Sequence, residues 1–163
     1  MTRTLQWLFL VSVLLFVSGI GFVIAAARTA RDAAPIVTAP TTMPVATVAQ
    51  IMNGITMPGA LTVYNAVGTI INAEGVKEIE PQNDEEWANV ANAAAAIIES
   101  GNLLLIGDRA LDTGDWVTMT KAMMEQGQLA LKAAQAKDKN AILDAGGPLN
   151  DTCDTCHAKY QRQ

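Results

Sequence analysis

The sequence predicts an all-α protein: an antiparallel four-helix bundle preceded by an N-terminal transmembrane helix. Three observations support this prediction. Alanine is abundant, apolar residues recur at three- and four-residue steps, and no strand-like alternation stands out. Glycine, proline and acidic residues divide the apolar stripes into segments of helical length. Four amphipathic helices with modest loops are typical of an antiparallel bundle.

The N-terminus forms an apolar appendage to a chain of 163 residues, which otherwise has room for one domain. No charged residue lies between Leu5 and Ala27, and a helix needs about 20 apolar residues to cross a bilayer. A cleavable signal peptide is the alternative, since the stretch ends in small residues. The length of the run favours an uncleaved anchor over residues 1–28, in contact with lipid through residues 5–27.

A segment punctuated by proline and threonine follows over residues 29–45. Pro35, Pro40 and Pro44 lie in it, and it shows no amphipathic period. Such a composition predicts a semi-extended tether. Residues 46–163 then form the predicted folded domain.

The first helical segment of that domain is predicted to run from about Val45 to Ile71. Pro58 lies inside it, so we expect a break or kink near Thr56 and Met57. The stretch from Gly75 to Pro81 predicts a loop.

Three further helices are predicted. The second begins near Asn83 or Asp84, either of which can cap it. The third begins near Asp115 and ends around Lys137. The fourth extends from residue 138 to the end, and its last part begins or kinks at Pro148, a residue tolerated in a first helical turn.

The folded part of the chain is acidic. From residue 33 onward it holds eight Lys and Arg residues against fifteen Asp and Glu residues, a formal charge near −7. Nucleic-acid binding requires a basic face, so this class of function is excluded. The negative charge can serve solubility alone, or it can steer the domain toward a basic patch on a protein partner.

The motif with the most chemical content lies near the C-terminus, where Cys153, Cys156 and His157 form C-x-x-C-H. This is the attachment signature of c-type haem: two thiols bond to the porphyrin vinyl groups, and the adjacent imidazole ligates the iron. These are the only cysteines and the only histidine of the chain. A disulfide redox pair or a metal-binding pair is the alternative, although a structural zinc site takes more such ligands than the chain has.

Leu149, Cys153, Cys156 and Tyr160 follow one another at steps of four, three and four residues. They therefore share one face of the fourth helix and present both thiols and a phenol ring toward one interior.

Three basic residues are candidates to meet a haem propionate. Arg162 is the first, and Lys159 lies on the same helix. Arg109, in a predicted loop, is a weaker candidate.

Taken together, the chain resembles the class II c-type cytochromes, the family of cytochrome c′ and its low-spin relatives. The resemblance covers about residues 46–162 and depends on the late C-x-x-C-H motif, Tyr160 three residues beyond the histidine, and an early helix that bears methionine. It implies one covalent haem c inside a four-helix bundle, and family members often form homodimers. Since bacteria attach such haem in the periplasm, it also implies a single-pass protein of the bacterial inner membrane with a periplasmic haem domain.

The sixth iron ligand decides the function. No second histidine exists, so a methionine thioether is the natural candidate, and His/Met ligation raises the reduction potential. Low-spin members of the family often have the ligand methionine six residues before a proline, as Met52 stands before Pro58. Met57 is a second candidate, and a five-coordinate iron facing an apolar side chain is the third.

The resemblance implies an electron-transfer protein rather than an enzyme, and no acid–base pair or nucleophile constellation stands out. We expect it to serve as a subunit of, or donor to, a membrane redox complex, or to exchange electrons with other electron-transfer proteins. The alternative is a five-coordinate, cytochrome c′-type protein that binds small gases such as NO or CO.

Overall fold

The structure, a computed structural model, describes residues 2–32 and 42–161. Most of these residues are helical, as predicted. The chain divides into two compact units, Met1–Thr41 and Thr42–Gln163. Most of the predicted tether lies outside the described residues, and so does Arg162.

The first unit contains one long helix, α1 (Thr2–Asp32). Its segment Thr2–Thr29 is long and apolar enough to cross a membrane, and none of it is buried. A signal sequence near an N-terminus meets the same criteria. The predicted apolar helix is therefore present, and both alternatives for its role remain.

The second unit begins with a helix of three parts: α2 (Val48–Ile51), a π-helical turn (Met52–Thr56) and α3 (Met57–Tyr64). Thr47 caps its start in a reciprocal capping box with Gln50. The predicted first segment was too long at its C-terminal end, because the helix stops at Tyr64 rather than at residue 71.

The π turn takes the place of the predicted break before Pro58. A proline has no N–H to donate, so the carbonyl groups in the preceding turn lose a helical partner. The wider turn supplies another arrangement, in which the N–H of Met57 donates to the Met52 carbonyl. The Thr56 hydroxyl also donates to the Ser100 hydroxyl at 2.9 Å, and this contact ties the turn to the next helix.

A two-stranded antiparallel hairpin follows, formed by β1 (Gly68–Asn72) and β2 (Gly75–Ile79). The prediction of an all-α chain with a loop from Gly75 is wrong here. The strands are exposed on both faces except at Gly68. Because neither face is buried, the strands need no alternation of apolar and polar residues, which is the pattern that identifies a strand in a sequence.

Three long helices complete the unit: α4 (Asp84–Leu104), α5 (Asp115–Gln135) and α6 (Lys139–Tyr160). A short 3-10 turn, Gly107–Arg109, lies between α4 and α5. Asn83 caps α4, one of the two predicted caps, because its side chain accepts the N–H of Glu86.

Of the two alternatives predicted at Pro148, a helix start or a kink, the helix start is wrong. Pro148 lies inside α6, which continues without interruption through the C-x-x-C-H motif. Pro148 is exposed, so water can satisfy the carbonyl that loses its helical donor. The motif therefore sits in the last turns of a helix of 22 residues.

The helices pack in chain order, each antiparallel to the one before it. Contacts between α4 and α5 are the most extensive, followed by those between α5 and α6, whereas α3 and α6 touch at few points. The antiparallel order follows from contacts that run in opposite directions along each pair of helices. Thr56 with Ser100 and Gly59 with Ala93 show it for the first helix and α4, and Gly101 with Met124 and Gly127 with Ile98 show it for α4 and α5. For α5 and α6, Lys159 near the end of α6 pairs with Asp115 at the start of α5, while α6 begins only four residues after α5 ends.

The core fills the space between these helices. Its most completely buried large side chains are Ile51, Val63, Ile97, Ile142 and Leu149. Because they come from the first helix, α4 and α6, one continuous core joins the helices of the second unit.

Candidate functional site

The C-x-x-C-H residues lie on one face of α6, as the spacing predicts. Leu149 is fully buried, whereas Cys153, Cys156, His157 and Tyr160 are half-buried. The residues between them on the helix are mostly exposed. The face thus sinks into the core at Leu149 and rises toward the surface at Tyr160, with both thiols and the imidazole at its partly open end.

Neither cysteine is in a disulfide. In a continuous helix, residues three apart have Cβ atoms about 5–6 Å apart, whereas a disulfide requires about 3.5–4.5 Å. Burial also raises the pKa of both the Cys153 and Cys156 thiols, the opposite of the shift that activates a redox cysteine. The helix therefore disfavours a disulfide redox pair, the main alternative to haem attachment.

Tyr64, at the end of α3, lies beside Cys153 and its ring approaches Gly146. Its hydroxyl is buried and makes no hydrogen bond to a nitrogen or oxygen atom of the described residues, and the Cys153 thiol is its polar neighbour. Burial, with a contribution from the neighbouring Cys153, raises the pKa of Tyr64 to about 12. Nothing in the sequence indicates that the hydroxyl of this tyrosine is buried without a nitrogen or oxygen partner.

One end of the second unit brings together the start of its first helix, the end of α4, the start of α5 and the end of α6. Arg109 makes the first connection: its Nε donates to the Ala46 carbonyl at 2.8 Å and its Nη1 to the Leu103 carbonyl at 3.0 Å. Trp116 makes the second, since its Nε1 donates to the Leu104 carbonyl at 3.1 Å. Its ring also packs edge-on against Tyr160, with centroids 5.1 Å apart.

Tyr160 connects α6 to the loop before α5 by a hydrogen bond to the Asp112 carboxylate. That bond, together with backbone N–H groups of Trp116 and Gly114, lowers the pKa of Asp112. Asp112 was not predicted as a site residue, although an Asp two residues before a glycine is a common turn signal. Lys159 forms an ion pair with Asp115 at 2.5 Å, so it already has a carboxylate partner.

Met52 lies at this same end of the unit. It is half-buried against the core, six residues beyond Ala46, which Arg109 holds. Met57 is 50% exposed, so its thioether has no comparable place in the interior. On α5, Met123 is buried in the core and Met124 packs on Gly101.

The described residues contain no group of three His, Cys, Asp or Glu side chains that could hold a bare metal ion. They do present the groups that a haem requires from a protein: two free thiols and an imidazole on one helical face, and a half-buried thioether at the same end of the unit. The chemistry of the donor set therefore fits a haem better than a protein-only metal site.

No protein-family model, no curated protein and no solved structure matches the chain. The functional interpretation consequently depends on the residues of the site and their arrangement.

Proposed function

We propose that this chain is a membrane-tethered c-type cytochrome of the class II type, whose second unit carries single electrons in the periplasm. The observation that carries the proposal is the C-x-x-C-H motif on one half-buried face of α6. A haem held there supplies an iron that changes its charge by one electron. The protein performs no bond chemistry on a substrate, so it is not an enzyme.

Three side chains of α6 hold the cofactor in this proposal. The Cys153 and Cys156 thiols form the two thioether bonds, and His157 is the proximal iron ligand. Their place on a rigid helix fixes the cofactor plane relative to the core beneath Leu149. Covalent attachment also makes occupancy independent of affinity.

The second unit is proposed to act as a four-helix bundle, with the hairpin as an addition between the first two helices. The antiparallel packing order of the helices supports this architecture. The sparse contacts between α3 and α6 support a cofactor position along that seam, because the cysteines and Tyr64 lie there.

Met52 is the proposed sixth ligand. It is half-buried, it belongs to the same end of the unit as the motif, and it is the first residue of a π turn, a feature frequent at functional sites. As a ligand, its thioether would exclude water from the iron and suit rapid electron transfer.

The cellular setting is also a proposal. Helix α1 would anchor the chain in the bacterial inner membrane and contact lipid through residues 5–27, while the second unit faces the periplasm. The tether would keep this unit near membrane redox enzymes and so raise its effective concentration there. The proposed partners are a membrane redox complex or another electron-transfer protein with a basic docking patch, and a second copy of the chain in a homodimer.

Haem attachment is tested by producing the full chain in a bacterium that has a periplasmic haem-attachment system. We expect haem to remain with the chain after denaturation, detected by haem staining of a denaturing gel and by intact mass. The variant Cys153→Ala, Cys156→Ala should lose this signal. A wild-type chain of unmodified mass, recovered from cells that load another c-type cytochrome, would reject the proposal.

The sixth ligand is tested by absorption spectroscopy of Met52→Leu, with Met57→Leu as the matched control. The wild type and the control should show a low-spin spectrum with the weak long-wavelength ferric band of a sulfur–iron bond. Met52→Leu should lose that band. A wild-type spectrum that is high-spin and unchanged in Met52→Leu would instead support the five-coordinate, gas-binding alternative.

A further inference from the structure

Arg109 is a buried cation without a carboxylate partner among the described residues. Its side chain is only 9% exposed, and each ion pair of the described chain is made by a lysine. The two hydrogen bonds it makes go to neutral carbonyl groups, those of Ala46 and Leu103. A buried charge is costly unless it is paired, so the site lacks a counter-ion.

The guanidinium has donors to spare. Within the described residues only Nε and Nη1 are engaged, and a guanidinium carries further N–H groups in a fixed fork that suits a carboxylate. The nearest acidic residues in sequence do not fill this role. Asp108 is exposed and makes no ion pair, and the Asp112 carboxylate accepts from Tyr160, Trp116 and Gly114.

The position of Arg109 relates it to the candidate site. Arg109 donates to the carbonyl of Ala46, six residues before Met52 in the chain. It also donates to the carbonyl of Leu103, and the next residue, Leu104, accepts the hydrogen bond from Trp116. Trp116 in turn packs on Tyr160, three residues beyond His157. Arg109 thus belongs to the end of the unit where both proposed iron ligands lie.

We propose that Arg109 binds a carboxylate of the cofactor, namely a haem propionate. This inference depends on the proposed function and adds to it a cofactor-binding residue that the sequence ranked below Arg162 and Lys159. A propionate supplies the anion that the buried guanidinium lacks among the described residues. The hydrogen bonds to the carbonyl groups of Ala46 and Leu103 fix the orientation of the guanidinium. Lys159 is less suited, because Asp115 already neutralises it.

The test measures the reduction potential of the haem-loaded full chain in detergent between about pH 5 and 8. In the wild type, the guanidinium keeps the bound propionate ionised, so the potential should stay nearly constant over this range. In Arg109→Gln the propionate pKa should rise into the range. Each deprotonation then places a negative charge near the iron and favours the ferric state, so the potential should fall as the pH rises.

Two controls separate this role from a structural one. Arg109→Lys keeps the charge and should restore the constant potential. Lys121→Gln removes one positive charge from an exposed position on α5 and should leave the profile unchanged. The wild type and the three variants contain the same other ionisable groups at this end, so these groups do not explain a difference between the profiles. They are Asp108, Asp112, Asp115, His157, Lys159 and Tyr160.

A profile of Arg109→Gln that matches the wild type, in protein that carries haem, would overturn the inference and leave the proposed function intact. Absence of haem from the wild type would instead reject the proposed function, and this inference with it.

If Arg109→Gln fails to fold, 15N-arginine NMR of the wild type provides the test. The Arg109 side-chain signals are identified by their absence in Arg109→Lys. They should shift between the ferric and ferrous states if the guanidinium binds the cofactor. Signals that are identical in both states would contradict the contact.

Discussion

The seam between α4 and α5 differs from the seam between α3 and α6. The first is filled by the chain itself: Gly101 receives the Met124 side chain, Gly127 receives Ile98, and Ala94 is fully buried between them. The second has few contacts, two half-buried thiols and the unsatisfied hydroxyl of Tyr64. The chain's own side chains fill the first seam, whereas the second has polar and reactive groups that the proposed haem would use.

The largest effect on stability is expected from a cavity in the seam between α4 and α5. Ile97 is 1% exposed, and Ile97→Ala should lower the free energy of unfolding by about 2–5 kcal/mol. Urea unfolding of the full chain in detergent, followed by the fluorescence of Trp87 and Trp116 in a Trp7→Phe background, measures it. Leu129→Ala on α5 is the control, because Leu129 is 52% exposed and its loss should cost less than about 0.5 kcal/mol. Equal losses in both variants would show that α4 and α5 do not pack as described.

The next effect concerns the close approach of the first helix to α4. A Cβ on Gly59 would lie 2.9 Å from the Ala93 carbonyl oxygen, a backbone atom that cannot move alone. Gly59→Ala should therefore cost about 1–3 kcal/mol of unfolding free energy in the same measurement. Gly54→Ala is the matched control, since a Cβ there meets no atom within 4 Å. A Gly59→Ala protein as stable as the wild type would argue against this helix contact.

A smaller effect of opposite sign is expected in the seam between α3 and α6. Tyr64→Phe removes a buried hydroxyl that has no nitrogen or oxygen partner among the described residues and lies beside the Cys153 sulfur, a weak acceptor. The chain made without haem should therefore gain about 1 kcal/mol of unfolding free energy. Urea unfolding in the same background measures the gain. A clear loss would mean that the hydroxyl has a partner that stabilises the fold, and the contrast between the two seams would weaken.

The last effect, a pH dependence, appears only at the alkaline end. The pKa of Tyr64 rises from 10.0 to about 12 in the folded chain, so the folded state holds this proton more tightly than the unfolded state does. The contribution is complete below pH 10.0 and is lost as the pH rises toward about 12, where stability should fall. The difference in unfolding free energy between wild type and Tyr64→Phe, followed against pH, isolates this residue. A difference that does not change above pH 10.0 would contradict the buried environment of the hydroxyl.

The predictable part of the fold is the part with strong local signals. Asn83 before three acidic residues marks the start of α4, and the apolar spacing predicts the faces that bury Trp87 and Trp116. The hairpin could not be found by burial periodicity, because Ile71 and Val76 pair across it while both stay exposed. Its signal was composition alone: β-branched residues around Gly75.

The candidate site shows the same division. Cys153, Cys156 and His157 share a face because spacing on a helix fixes it, and the sequence supplies the spacing. The unpaired state of Arg109 and the unsatisfied Tyr64 hydroxyl depend on which groups the other helices bring near. Such contacts join residues far apart in the chain, so no local pattern encodes them.

The π turn at Met52–Thr56 holds one residue more than an α-helical turn would. Successive side chains of an α-helix are rotated by about 100° around its axis. The extra residue therefore determines how the side chains of α2 are rotated around the helix axis relative to those of α3. Deleting one residue from the turn would restore regular winding and carry Met52 to another side of the helix, while α3 kept its contacts with α4. If the chain carries the proposed haem, the residue that this helix turns toward the haem would thus depend on a single inserted residue, a change that evolution can make or reverse in one step.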